Sequence, residues 1–200
     1  MLAVAASACG APKYHYVKST TDKTFVRVPE KWKLFDEDQL LAISEESPEA
    51  KAQFKALSWS VAFDASPKPS IDHLLTDAGH PAGLVQVRRL PPSQRDTFSL
   101  AELRSLYLGF DPLAGDLGDS GDVEVLEAKE VTRPGGFHGS ELLLNLRTES
   151  GKLMKWRQVA LLDSQARKVH VLVISCNVDC YAAHEHEIDK VVESLQVKER

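Results

Sequence analysis

Five of the six residues in Val169-His-Val-Leu-Val-Ile174 are apolar, so a strand built from them has to be covered on both faces. That run rules out a sheet with one wet side and calls for a layer of structure above and below. The segments before it have a period of two. Leu142, Leu144 and Leu146 share one face of a strand, and the Glu149-Ser-Gly151 turn leads into a second strand from Lys152 to Leu162. Three successive strands joined by short turns are antiparallel neighbours. The spacing then becomes helical over Tyr181 to Leu195, with Ile188, Val191, Val192 and Leu195 as the buried stripe. This helix returns across one face of the sheet, and the earlier helices are expected on the other. The fold class that follows is α+β, a three-layer α/β/α sandwich around a mainly antiparallel sheet.

Earlier segments fit that plan. Phe25, Val26 and Val28 belong to an alternating strand that Pro29 stops, and Trp59, Val61 and Phe63 share the face of another. Gly83 to Leu90 is a strand closed by Pro91-Pro92. Ser99-Leu-Ala-Glu102 is a capping-box pattern opening a short helix, with Leu100, Leu103, Leu106 and Tyr107 turned inward. Val123 to Val131 alternates, and Pro134-Gly-Gly136 turns it. With 43% apolar and 26% charged residues, the chain can hold a real core. We expect one domain over residues 23–200, preceded by an anchor and linker over residues 1–22.

Compartment is written in the cysteines. Ala6-Ser-Ala-Cys9 resembles a bacterial lipobox, in which small residues admit the peptidase and the thiol receives a diacylglycerol. Ala6 stands where Leu is usual, and only eight residues precede Cys9, so the natural start is expected upstream. A lipidated Cys9 places the protein on the extracellular face of the cytoplasmic membrane. The remaining cysteines, Cys176 and Cys180, form an even pair between the apolar strand and the last helix, as an oxidising compartment favours. A structural disulfide is the preferred reading. The alternative is a redox or metal pair, but the spacing is not C-x-x-C and no second pair completes a zinc site.

Several function classes lack their residues. Net charge is −5 with no basic stripe, so nucleic acid is not an expected partner. No apolar stretch approaches the roughly 20 residues that span a bilayer. His184-Glu-His186 lacks the H-E-x-x-H spacing of zinc peptidases, and residues two apart on a helix point to different faces. The Asp116 to Asp122 loop gathers carboxylates without a calcium-loop spacing. His138-Gly-Ser140 is not a nucleophile elbow. His170, set among apolar residues, reads as a buried, hydrogen-bonded side chain, and Trp156 as core packing beneath a helix. No catalytic residue, metal ligand or cofactor is assigned.

The opening Phe25-Val-Arg-Val-Pro29 with Trp32, and the closing hairpin, Gln158-bearing strand, apolar strand and helix ending Val192-Glu-Ser-Leu-Gln-Val197, resemble a known family. It joins the photosystem extrinsic protein PsbP, the Ran-binding Mog protein and LpqN-like lipoproteins of actinobacteria. The resemblance spans nearly all of residues 24–197. Cys176 and Cys180-Tyr181 look like the paired cysteines of some actinobacterial members. It implies a PsbP/Mog-like fold, a surface location, and docking or accessory roles without a catalytic residue. The function expected is therefore that of a non-catalytic, monomeric surface lipoprotein. It would be anchored to the membrane by lipid and bind an unidentified protein or small molecule. The alternatives are a carrier of an apolar small molecule or, from another class, a hydrolase acting on the cell wall.

Overall fold

In the computed structural model, which describes residues 14–74, 76, 79–115, 122–148 and 150–199, the doubly apolar run forms strand β9 (Lys168–Asn177). All residues from Val169 to Ile174 are buried. Strand β9 lies between β5 (Ala82–Arg89) and β8 (Leu153–Leu162). Beyond β5 come β4 (Ser58–Asp64) and β3 (Lys33–Asp36); beyond β8 come β7 (Phe137–Arg147) and β6 (Val123–Arg133). Every pairing in this seven-stranded sheet is antiparallel. The edge strand β6 carries a bulge between Val125 and Glu127, which disrupts the row of free backbone groups it would otherwise present.

Alternation sends each strand to two cores. Val159, Leu161, Leu172 and Ile174 point to one face, where they meet Trp32, Tyr181, Ile188 and Val191. Ala160, Leu162, Val169 and Val171 point to the other, where they meet Leu90 and Leu103. Helix α5 (Val178–Glu193) covers the first face, and α4 (Leu100–Ser105) the second. Full burial of an aliphatic side chain such as Ile188 contributes about 1.5–3 kcal/mol. The capping box at Ser99 and Glu102 forms as the sequence implies. Shorter helices α1 (Glu37–Ala42), α2 (Pro48–Leu57) and α3 (Pro92–Arg95) bury no residue of their own.

The three-layer arrangement is therefore present, but one covering layer is composite. Beside α5 lies a three-stranded antiparallel sheet of β1 (Tyr14–Ser19), β2 (Thr24–Pro29) and β10 (Gln196–Val197), in the order β1-β2-β10. This corrects the expectation of anchor and linker for residues 14–22. Tyr14 to Ser19 pair residue for residue with Pro29 to Thr24, and Val17 and Asp22 are buried. The segment looked like a tether because its inward polar groups satisfy one another: Ser19 Oγ donates to the Asp22 carboxylate at 2.8 Å. Tyr107 is a second correction. The helix ends before it, its φ is +64°, and it lies exposed with its hydroxyl donating to Gln86 Oε1 at 2.6 Å.

Candidate functional site

The two ends of β9 are built differently. At its exit, Cys176 and Cys180 are joined by a disulfide with their Cα atoms 5.9 Å apart. Asn177 between them caps α5 by accepting from the Cys180 N–H at 2.8 Å. At its entry, β9 opens onto a cavity of about 710 Å³. Five separate pieces of chain form it: the β1–β2 turn, the end of β5 with α3, the start of β7, the β8–β9 turn, and the residues after β10.

Asp22 and His170 form its buried floor. Arg89 Nη2 lies 2.9 and 3.0 Å from the two Asp22 carboxylate oxygens, and Lys168 Nζ lies 3.0 Å from one of them. Burial alone would raise the Asp22 carboxyl, but Lys168, Ser19 and Arg89 outweigh it and hold it below the usual carboxylate range. His170 is 1% exposed, its Nδ1 is 2.7 Å from Thr24 Oγ1, and Phe137 meets its ring edge-on at 5.5 Å. Burial pushes the ring down to about 4, so it is neutral at pH 7. The expectation of a buried, hydrogen-bonded histidine holds.

The rim is fixed by its turns. Asp163 accepts from the backbone N–H groups of Arg167 and Lys168 at 2.5 and 3.1 Å. Ser164 Oγ donates to Glu199 at 2.7 Å, and the Lys198 N–H donates to the Lys23 carbonyl at 3.1 Å. Lys23 and Ala166 have φ of +54° and +50°. For residues with a Cβ this left-handed conformation costs about 1–2 kcal/mol each. Six Lys and Arg side chains and three carboxylates line the cavity. Such a lining draws anions in, whereas its titratable floor is already engaged in pairs.

The other candidate residues do not converge. His184 Nδ1 pairs with Glu187 at 3.1 Å, while His186 is exposed further along the same helix. Ser140 is buried within β7, and the His138 ring reaches the Gly136 carbonyl at 3.4 Å. Trp156 is half-buried, its Nε1 donating to Gln158 Oε1 at 3.4 Å, so it is less enclosed than core packing would make it. Cys9 and residues 116–121 of the acidic loop lie outside the described residues. Sequence reasoning missed the cavity, because its cations come from five segments with no common motif. It also missed a buried Asp64, which pairs with His73 Nδ1 at 2.7 Å and accepts from the Ser66 and Ser70 N–H groups at 2.9 Å. That pair could orient a catalytic imidazole, yet the Ser70 hydroxyl donates to Asp72, and among the described residues no hydroxyl or thiol bonds the His73 ring. The pair instead ties the loop after β4.

No family model matches the chain, and no curated protein does. Among solved structures, the chain is similar to the Ran-binding protein Mog1p of Saccharomyces cerevisiae, with 13% identity over 94% of this chain and 96% of that one and a TM-score of 0.47. It is similar to PsbP (CyanoP) of Synechocystis, with 14% identity over 96% of both chains and a TM-score of 0.46. It is also similar to LpqN of Mycobacterium tuberculosis, described as involved in cell envelope biogenesis, with 15% identity over 94% and 91% and a TM-score of 0.49. These neighbours carry the same three names as the sequence resemblance, while the α+β fold with its two antiparallel sheets rests on the strand order and register themselves.

Proposed function

We propose that the chain is a non-catalytic binding module of the cell surface, lipidated at Cys9 and held on the outer face of the cytoplasmic membrane. In this reading the residues before Tyr14 form the tether and the rest is one domain that holds a small molecule or partner protein. The observation that carries it is the cavity at the entry of β9. It is open and charged, and its ionisable floor is committed to structure: Asp22 to Arg89 and Lys168, and neutral His170 to Thr24. A polar lining of this kind weighs against the carrier of an apolar molecule. The Cys176–Cys180 bridge supports an oxidising compartment, and the lipobox-like Ala6-Ser-Ala-Cys9 supports the anchor.

Intact-mass spectrometry of native material, with fractionation of a Cys9→Ala strain, tests the reading. The expected result is an acylated Cys9, no free thiol at Cys176 or Cys180, and release of the variant from the membrane fraction. An unmodified, reduced chain, or turnover of a captured ligand, would overturn it.

A further inference from the structure

We propose that the cavity at the entry of β9 binds a multiply charged phosphate-type oxyanion, carried by a soluble phosphate ester or by a phospholipid headgroup. This rests on the binding-module reading and specifies what is held. The chain as a whole has a net charge of −5, yet this cavity is lined by twice as many cations as carboxylates. A positive hollow in a negative protein is a local reversal of field, and walls of low dielectric concentrate it.

The carboxylates are also spent elsewhere. Asp22 is engaged by Arg89 and Lys168, Asp163 faces the backbone N–H groups of its own turn, and Glu199 accepts from Ser164. Lys23, Arg167 and Lys198 are exposed, line the cavity, and pair with no carboxylate among the described residues. They sit on three different segments, and two of those segments are joined by the hydrogen bond from the Lys198 N–H to the Lys23 carbonyl. Like-charged side chains held together in this way repel one another until an anion arrives. Lys23 and Ala166, beside Arg167, are also two of the described residues with a Cβ whose φ is positive, so backbone strain is concentrated on this rim.

The class of anion follows from the donors. A phosphate monoester carries roughly −1.5 to −2 charges at pH 7 and offers three acceptor oxygens. A guanidinium fork and two ammonium groups match that better than they match a single carboxylate. A cavity of about 710 Å³ has the size of a small-molecule site.

The test uses the full chain carrying Cys9→Ala, so that no acyl group confounds vesicle binding. Inorganic pyrophosphate is titrated by calorimetry against this chain and against the same chain with Arg167→Ala and Lys198→Ala. Saturable binding that the double change weakens by about tenfold or more, the weight of one charge-assisted hydrogen bond, is expected. Sedimentation with vesicles containing phosphatidic acid, whose headgroup is a phosphate monoester, but not with phosphatidylcholine vesicles, that pyrophosphate reverses assigns the headgroup as source. Pyrophosphate binding without sedimentation assigns a soluble phosphate ester. Absence of saturable binding, or equal binding by the double variant, overturns the anion site and leaves the binding-module reading standing. Release of phosphate from pyrophosphate that the double change abolishes upholds the anion site and overturns the non-catalytic reading.

Discussion

At its exit, β9 is locked by a covalent bridge and a helix cap within a few residues of one another, whereas at its entry its polar and charged groups find their partners on distant segments around a hollow. The same strand is thus rigid where it turns into α5 and solvent-linked where it begins. What differs is the means of satisfying buried polar groups. The exit uses short-range local geometry. The entry assembles partners from β1–β2, β5 and the β8–β9 turn, so its integrity depends on the protonation state of those partners. Binding sites are commonly placed on such less autonomous ends of a rigid scaffold.

Acid is the strongest way to break that contrast. The unfolded His170 binds a proton near pH 6.5 and the folded one only near 4, so between those values the unfolded chain holds more protons. Stability is therefore complete above pH 6.5 and falls as pH drops toward 4, by at most about 3 kcal/mol. Asp22, held below its ordinary value, adds a further loss only as pH falls below the usual carboxylate range. Chemical denaturation as a function of pH, with a His170→Gln variant, checks this. The variant should lose the slope above pH 4, and an unchanged slope would assign the acid sensitivity elsewhere. The bridged end should respond to reductant instead. Opening a loop this short costs about 2 kcal/mol in the chain-entropy account. A denaturation midpoint that does not shift with reductant would show that the cap alone fixes the exit. The acid slope should survive reduction, because the two ends share no partner. The smallest effect is expected at the rim. Arg167 and Lys198 are exposed and pair with no carboxylate among the described residues, so Arg167→Ala and Lys198→Ala should each change stability by less than about 0.5 kcal/mol. A larger loss by thermal denaturation would mean that these cations support the fold rather than await a ligand.

Alternation and apolar runs made the large sheet, α5, the capping box at Ser99 and the β9 core legible, because each is a local pattern that burial enforces. The bridge was legible because its cysteines sit four residues apart at an element boundary. Strand β1 was not, since Tyr14-His-Tyr-Val-Lys-Ser19 carries little apolar content and its buried serine is satisfied by Asp22, three residues on. Strand β10 has only two residues, too short for any period. The cavity was invisible for a different reason: a net charge averages over the whole surface, while the lining brings Lys23, Arg89, Arg167 and Lys198 together across some 175 positions of chain. The Asp64–His73 pair is likewise a contact through space between a strand end and the loop after it.

Strand β1 has a bearing on where such a protein could act. With the fold already in place at Tyr14, only four residues stand between it and Cys9. Pulled straight, that stretch reaches at most about 18 Å, close to the radius of gyration of a domain this size, about 16 Å. An acylated Cys9 would give the domain a short leash, hugging the lipid plane with little radius to sweep, and any molecule it takes up would have to travel to the bilayer to be met.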